Sequence, residues 1–129
     1  MSANIEPIRC YLQGIPDVSL AYVFGSIAAG TADAESDLDV AISAQQELTP
    51  ERKAALISEL ARISGRPVDL VDLKCAGEPL LGEILTKGQR LKGSHNQHVE
   101  LVQRHIYNTE DFLPIVRRLL ADRRRQWIR

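Results

Sequence analysis

The sequence predicts a layered α/β domain ending in a helical tail, and two observations lead there. Short apolar runs alternate with segments whose apolar residues recur at helical spacing, and glycine or proline falls at the joints. Ile5, Ile8, Leu12 and Ile15 make the first helix, closed by Gly14 and Pro16. Residues 18–24 (VSLAYVF) form a buried strand that runs directly into Gly25-Ser26. Residues 27–36 read as a short helical turn and a loop, and residues 37–43 (DLDVAIS) as a second strand. Thr49 followed by Pro50 is an N-cap with proline in the first turn. Ala55, Leu56, Leu60 and Ile63 stripe that helix, and Gly65 with Pro67 ends it. Residues 68–73 (VDLVDL) alternate strictly, a third strand. A helix over 79–87, an extended piece at 90–92, and helices over 95–107 and 111–125 complete the chain.

Composition narrows the class of function. A chain of 129 residues with 44% hydrophobic and 26% charged residues fits one compact globular domain. Aromatics are only 5%, so aliphatic side chains must fill the interior. A formal charge of -1 gives no general attraction to a polyanion, which argues against strong direct nucleic-acid binding. Cys10 and Cys75 are isolated, the N-terminus carries no signal pattern, and no apolar run nears the roughly 18 residues of a membrane span. A reduced, cytoplasmic setting is the expectation.

The chemistry concentrates in two short stretches. A strand ends in Gly25-Ser26, and ten intervening residues later Asp37-Leu38-Asp39 heads the next strand. In extended chain Asp37 and Asp39 project to one face. Paired carboxylates repel and call for a cation. Magnesium takes one or two carboxylates and completes its shell with water and substrate phosphates. Glycine lets a backbone approach phosphate closely, and a serine hydroxyl with the amides behind it can donate to phosphate oxygens. One element thus suits a triphosphate, the other its metal, and phosphoryl transfer asks for little more. The third strand offers Asp69 or Asp72, on opposite faces. Parity does not choose between them; Asp69 is preferred because it precedes the middle of the strand.

The pattern GS-x10-DxD followed by a VDL strand resembles the minimal nucleotidyltransferase family of the polymerase-β superfamily, from Tyr22 to about Gly88. The stretch IYNTEDFLPIVRRLLADRR also resembles the tail of bacterial members that act as antitoxins beside HEPN-domain RNase toxins. The resemblance implies a small nucleotidyltransferase fold: a mixed sheet of three to four strands flanked by helices. It implies residues 1–93 as the core, with 94–129 a helical extension packed on the core or on a partner. The implied activity is transfer of AMP from ATP, with Mg2+, to a tyrosine near the toxin's catalytic histidine. Gly25 and Ser26 would hold the triphosphate, and Asp37 and Asp39 would ligate two metals. Asp69 would complete the second metal site and help deprotonate the tyrosine. Larger members carry a second domain for tRNA or aminoglycosides; its lack here points to a protein acceptor that brings its own surface. Two other readings are a small-molecule or nucleic-acid acceptor, and a non-catalytic antitoxin that masks its toxin.

Other features read as structural. His95, His98 and His105 share one predicted helix and are expected on its surface rather than on zinc. The last 29 residues hold seven arginines against three acids, including Arg123, Arg124 and Arg125 in a row. That run suits a solvated helix end, with docking to an acidic partner as the second reading. Trp127 packs on the domain or on a partner.

Overall fold

A computed structural model describes residues 4–108 and, in the tail, positions 117, 120 and 121. The elements run α1 (Glu6–Gln13), β1 (Val18–Phe24), α2 (Gly25–Ala29), β2 (Leu38–Ala44), α3 (Pro50–Ser64), β3 (Val68–Asp72), α4 (Leu80–Lys87), β4 (Gln89–Lys92) and α5 (His95–Asn108). Of the predicted helix over 111–125 only positions 117, 120 and 121 are described, and all three are helical; the arginine run and Trp127 lie outside the described residues.

The four strands form one mixed sheet in the order β3-β2-β1-β4. β1 pairs antiparallel with β2 and β4, whereas β2 and β3 are parallel and joined through α3. Strand alternation divides the interior in two. Ala21, Val23, Leu38, Val40, Ile42 and Leu70 face α1 and α3, meeting Ile8, Leu12, Leu56 and Leu60. Leu20, Tyr22, Phe24 and Ala41 face the other way, toward Leu81, Ile84 and Leu85 of α4 and Leu101 and Val102 of α5. A sheet covered on both faces explains why β1 is apolar and buried at every position but Ser19.

Local signals act as the sequence suggests. The Thr49 hydroxyl accepts from the Arg52 amide at 3.1 Å, and Gly65 ends α3 in the left-handed region. The Arg52 guanidinium forks onto both carboxylate oxygens of Asp17 at 3.0 and 2.8 Å, tying α3 to the start of β1 and holding the Asp17 pKa below its ordinary value. Lys92 reaches from β4 to the Leu12 and Gln13 carbonyls that end α1 and to the Ile15 carbonyl just after it.

The histidines depart from the surface reading. His95 is exposed, but His98 and His105 point into the sheet-facing side of α5 with Leu101 and Val102. Their i, i+3, i+4, i+7 spacing is the apolar stripe itself, so the helix cannot bury its leucine without burying them too. His98 Nδ1 hydrogen-bonds with the Tyr22 hydroxyl at 2.6 Å, and burial pushes the Tyr22 pKa up to about 12. His105 Nδ1 lies 2.6 Å from Glu78 Oε1. These two bonds fasten α5 to the sheet and to the approach to α4.

Candidate active site

The site lies where β1 gives way to α2. Phe24 is extended, and Gly25 turns to φ +71, a conformation that L side chains rarely adopt. Phe24 pairs with Asp39 across the antiparallel ladder, so this turn lies beside the Asp39 carboxylate. Contact is so close that a Cβ on Gly25 would collide with Asp39 Oδ2 and come within 3.1 Å of its Cγ. Backbone angle favours glycine here, and an added Cβ would also force the Asp39 carboxylate to move. Ser26 follows in the first turn of α2, half-buried, its carbonyl accepting from the Thr31 amide at 3.0 Å.

The parallel register sets Asp39 opposite Asp69, with Leu38 opposite Val68 and Val40 opposite Leu70. Since Val40 and Leu70 face α1 and α3, both carboxylates fall on the α4 side of the sheet. Asp37 precedes β2 on an exposed loop end, and its place is fixed from a distance. Arg66 donates through Nη1 to the carbonyls of Asp33 and Ser36 at 2.6 and 2.8 Å, and the Leu38 amide donates to the Pro67 carbonyl at 2.8 Å.

Asp39 registers the crowding. Desolvation raises its pKa above the ordinary 3.8, and the charges of Asp69, Asp37 and Glu83 push the same way. Glu83, in the first turn of α4, is a fourth acid that sequence patterning does not single out. None of the ion pairs among the described residues involves these four groups. Nor do any three His, Cys, Asp or Glu side chains among the described residues stand as a ready ion-holding group. Magnesium does not need one, because one or two carboxylates suffice when substrate phosphates and water supply the rest. A part-buried carboxylate crowded by like charges fits such an ion: hard oxygen donors, excess negative charge, no competing partner.

Asp72 is a different kind of residue. Parity turns it away from Asp39, its side chain is buried, and Oδ2 and Oδ1 accept from the Leu48 and Lys74 amides at 2.8 and 2.9 Å. It fastens the segments after β2 and β3. Asp72→Ala should cost about 1–3 kcal/mol by stranding those amides. Urea unfolding would report that loss, while the response of the melting temperature to Mg2+ should survive; loss of that response would place Asp72 in the site after all.

The clefts elsewhere, at α1–β4, under the start of α3 and beneath α5, include none of the four acids. Asp37 and Asp69 are exposed. Asp37 and Asp69 thus bring carboxylates to the protein surface, with Asp39 half-buried between them.

Comparison with known proteins agrees with this geometry. The family described as "Polymerase beta, Nucleotidyltransferase" matches residues 6–97. The protein adenylyltransferase MntA of Shewanella oneidensis is 36% identical over 87 residues, 67% of this chain; the match spans 63% of that relative's length. A crystal structure of a toxin–antitoxin with AMP-PNP superposes with a TM-score of 0.72 at 29% identity, over 91% of this chain and 98% of that one. A structure of tri-AMPylated Shewanella oneidensis HEPN toxin in complex with MNT antitoxin gives 0.59 at 26% identity, over 84% and 87%. With the family match running from α1 into α5, across both the glycine turn and the acidic strands, this chain belongs to the polymerase beta nucleotidyltransferase family.

Proposed function

We propose that this chain is a magnesium-dependent protein adenylyltransferase, transferring AMP from ATP to a tyrosine of a cognate HEPN-domain RNase toxin and so acting as its antitoxin. The observation that carries the reading is the placement of Asp39 between Gly25, at the turn that ends one neighbouring strand, and Asp69 on the other. The likeness to MntA, and to a complex in which the toxin is AMPylated, supports the acceptor.

Gly25 leaves room for the triphosphate against the backbone, and Ser26 donates its hydroxyl to a phosphate oxygen. Asp37 and Asp39 would hold Mg2+, and Asp69 would complete the second metal position. Bound Mg2+ would supply neutralisation and alignment of the phosphate charge. Asp69 also takes the proton of the tyrosine hydroxyl as its oxygen bonds to the α-phosphorus and pyrophosphate leaves. Exposure of Asp37 and Asp69 lets the toxin provide the other wall. Residues 1–93 are the catalytic core on this reading, and 94–129 an extension that packs on the core through α5 or on the partner. The reaction would run in the cytoplasm, where ATP and the toxin's RNA targets meet. No helix among the described residues is long and apolar enough to cross a membrane.

Co-expression with the toxin tests the proposal. Intact-mass measurement should show the toxin heavier by whole AMP units on a tyrosine, and unchanged when the antitoxin carries Asp37→Asn and Asp39→Asn. A toxin neutralised without any mass change would replace this reading with steric masking. AMP found instead on a small molecule or RNA would move the acceptor.

A further inference from the structure

Away from the carboxylates, on the α1 side of the edge strand β4, lies a pocket of about 440 Å³ lined by Arg9, Gln13, Arg90, Leu91, Lys92 and Gly93. Three cations and no acid line it, in a chain whose formal charge is -1. Glu6, one turn before Arg9, reaches Arg9 Nη1 at 3.2 Å from outside the lining. Lys92 is held by three carbonyls at and just after the end of α1, and its charge offsets their dipole, which would otherwise repel an anion. Arg90 gives Nη1 to the Ser94 carbonyl at 3.3 Å and is otherwise exposed.

Arg9 supplies a second, independent observation. Its Nε is buried and has no hydrogen-bond partner, alone among the buried side-chain nitrogens and oxygens of the described residues. A charged N–H stranded in this way costs free energy until an acceptor arrives. A guanidinium presents Nε–H and an Nη–H side by side, and a tetrahedral oxyanion takes both with two of its oxygens.

We infer that this pocket binds a phosphate group, with Arg9 Nε donating to one oxygen and Arg90 supplying positive potential. Free pyrophosphate and the phosphate of a polynucleotide share this chemistry. The lining shares no residue with the metal carboxylates, so the pocket and the proposed activity stand or fall separately.

The Arg9 Nε–Hε resonance of the full chain, followed by NMR, reads the site directly. Inorganic pyrophosphate should shift it saturably, in Asp39→Asn as in wild type. Arg9→Lys keeps the charge but loses that donor, so pyrophosphate should then bind about tenfold more weakly, as followed on the β4 amides. Arg90→Gln should weaken it similarly, without changing AMP transfer. A short single-stranded RNA that shifts the resonance when pyrophosphate does not would assign the phosphate to a polynucleotide. No shift with either ligand, or an equal shift with sodium chloride at matched ionic strength, overturns the inference.

Discussion

Asp39→Asn is expected to lower AMP transfer on the order of a thousandfold while raising the melting temperature of the unliganded protein. Loss of rate follows from removing the charge set closest to the glycine turn, where electrostatic stabilisation of transferring phosphate would act. The gain in stability follows from the same crowding. Folding places Asp39 in a desolvated position beside Asp69, Asp37 and Glu83, and its pKa rises above 3.8. A carboxyl whose folded pKa exceeds its unfolded value opposes folding when ionised. The penalty is complete above the folded pKa and fades as pH falls through it toward 3.8. Asparagine has the same shape and no charge, so its advantage in melting temperature should be greatest near neutral pH and shrink toward pH 4. Mg2+ should stabilise the wild type and barely affect the variant, and lowering the pH should weaken that response as protons compete for the carboxylate. A variant no more stable than wild type at pH 7 would contradict the electrostatic account of this site.

Gly25→Ala should damage the site directly, through one added methyl group. A non-glycine residue at φ +71 costs about 1–2 kcal/mol in backbone strain. Here the new Cβ also meets Asp39 Oδ2, so either the turn opens or the carboxylate swings away. Displacement by about 1 Å is enough for roughly a hundredfold loss of rate. Gly30→Ala is the matched control. Gly30 has φ +75 but nothing within 4 Å of an added methyl, so it carries the backbone cost without the collision. Both variants should lose stability, at about 4 °C per kcal/mol for a domain of this size, and only Gly25→Ala should lose AMP transfer. Equal activity in the two would mean that the close approach to Asp39 has no part in catalysis.

Much of this site is legible in the amino-acid sequence. β1 is readable because a strand buried on both faces is apolar, here at every position but Ser19, and α3 because Thr49, Pro50 and Gly65 punctuate it. The Gly25-Ser26 turn and the Asp37–Asp39 pair are local in sequence, so their spacing is enough to single them out as candidates. Choosing Asp69 over Asp72 needs the β2–β3 register, a pairing across 30 residues that alternation alone cannot supply. Arg66 and Glu83 escape notice for a similar reason. Each acts on a neighbour that only folding brings near, and neither carries a motif of its own. The histidines mislead because α5 has too few apolar residues to fill its buried stripe, and His98 and His105 complete it with hydrogen-bonded partners.

The parallel pairing of β2 with β3 gives α3 a task beyond covering the sheet. Neighbouring parallel strands have no hairpin to set their alignment, so the crossover must do it, through Leu56 and Leu60 clamped beneath Val40, Ile42 and Leu70. Sliding β3 by one residue would send Asp69 through to the opposite side and bring a hydrophobic side chain up beside Asp39. Phasing of the acids therefore depends on leucines a full helix away, and erosion of that remote packing would silence the enzyme before it unfolded the protein.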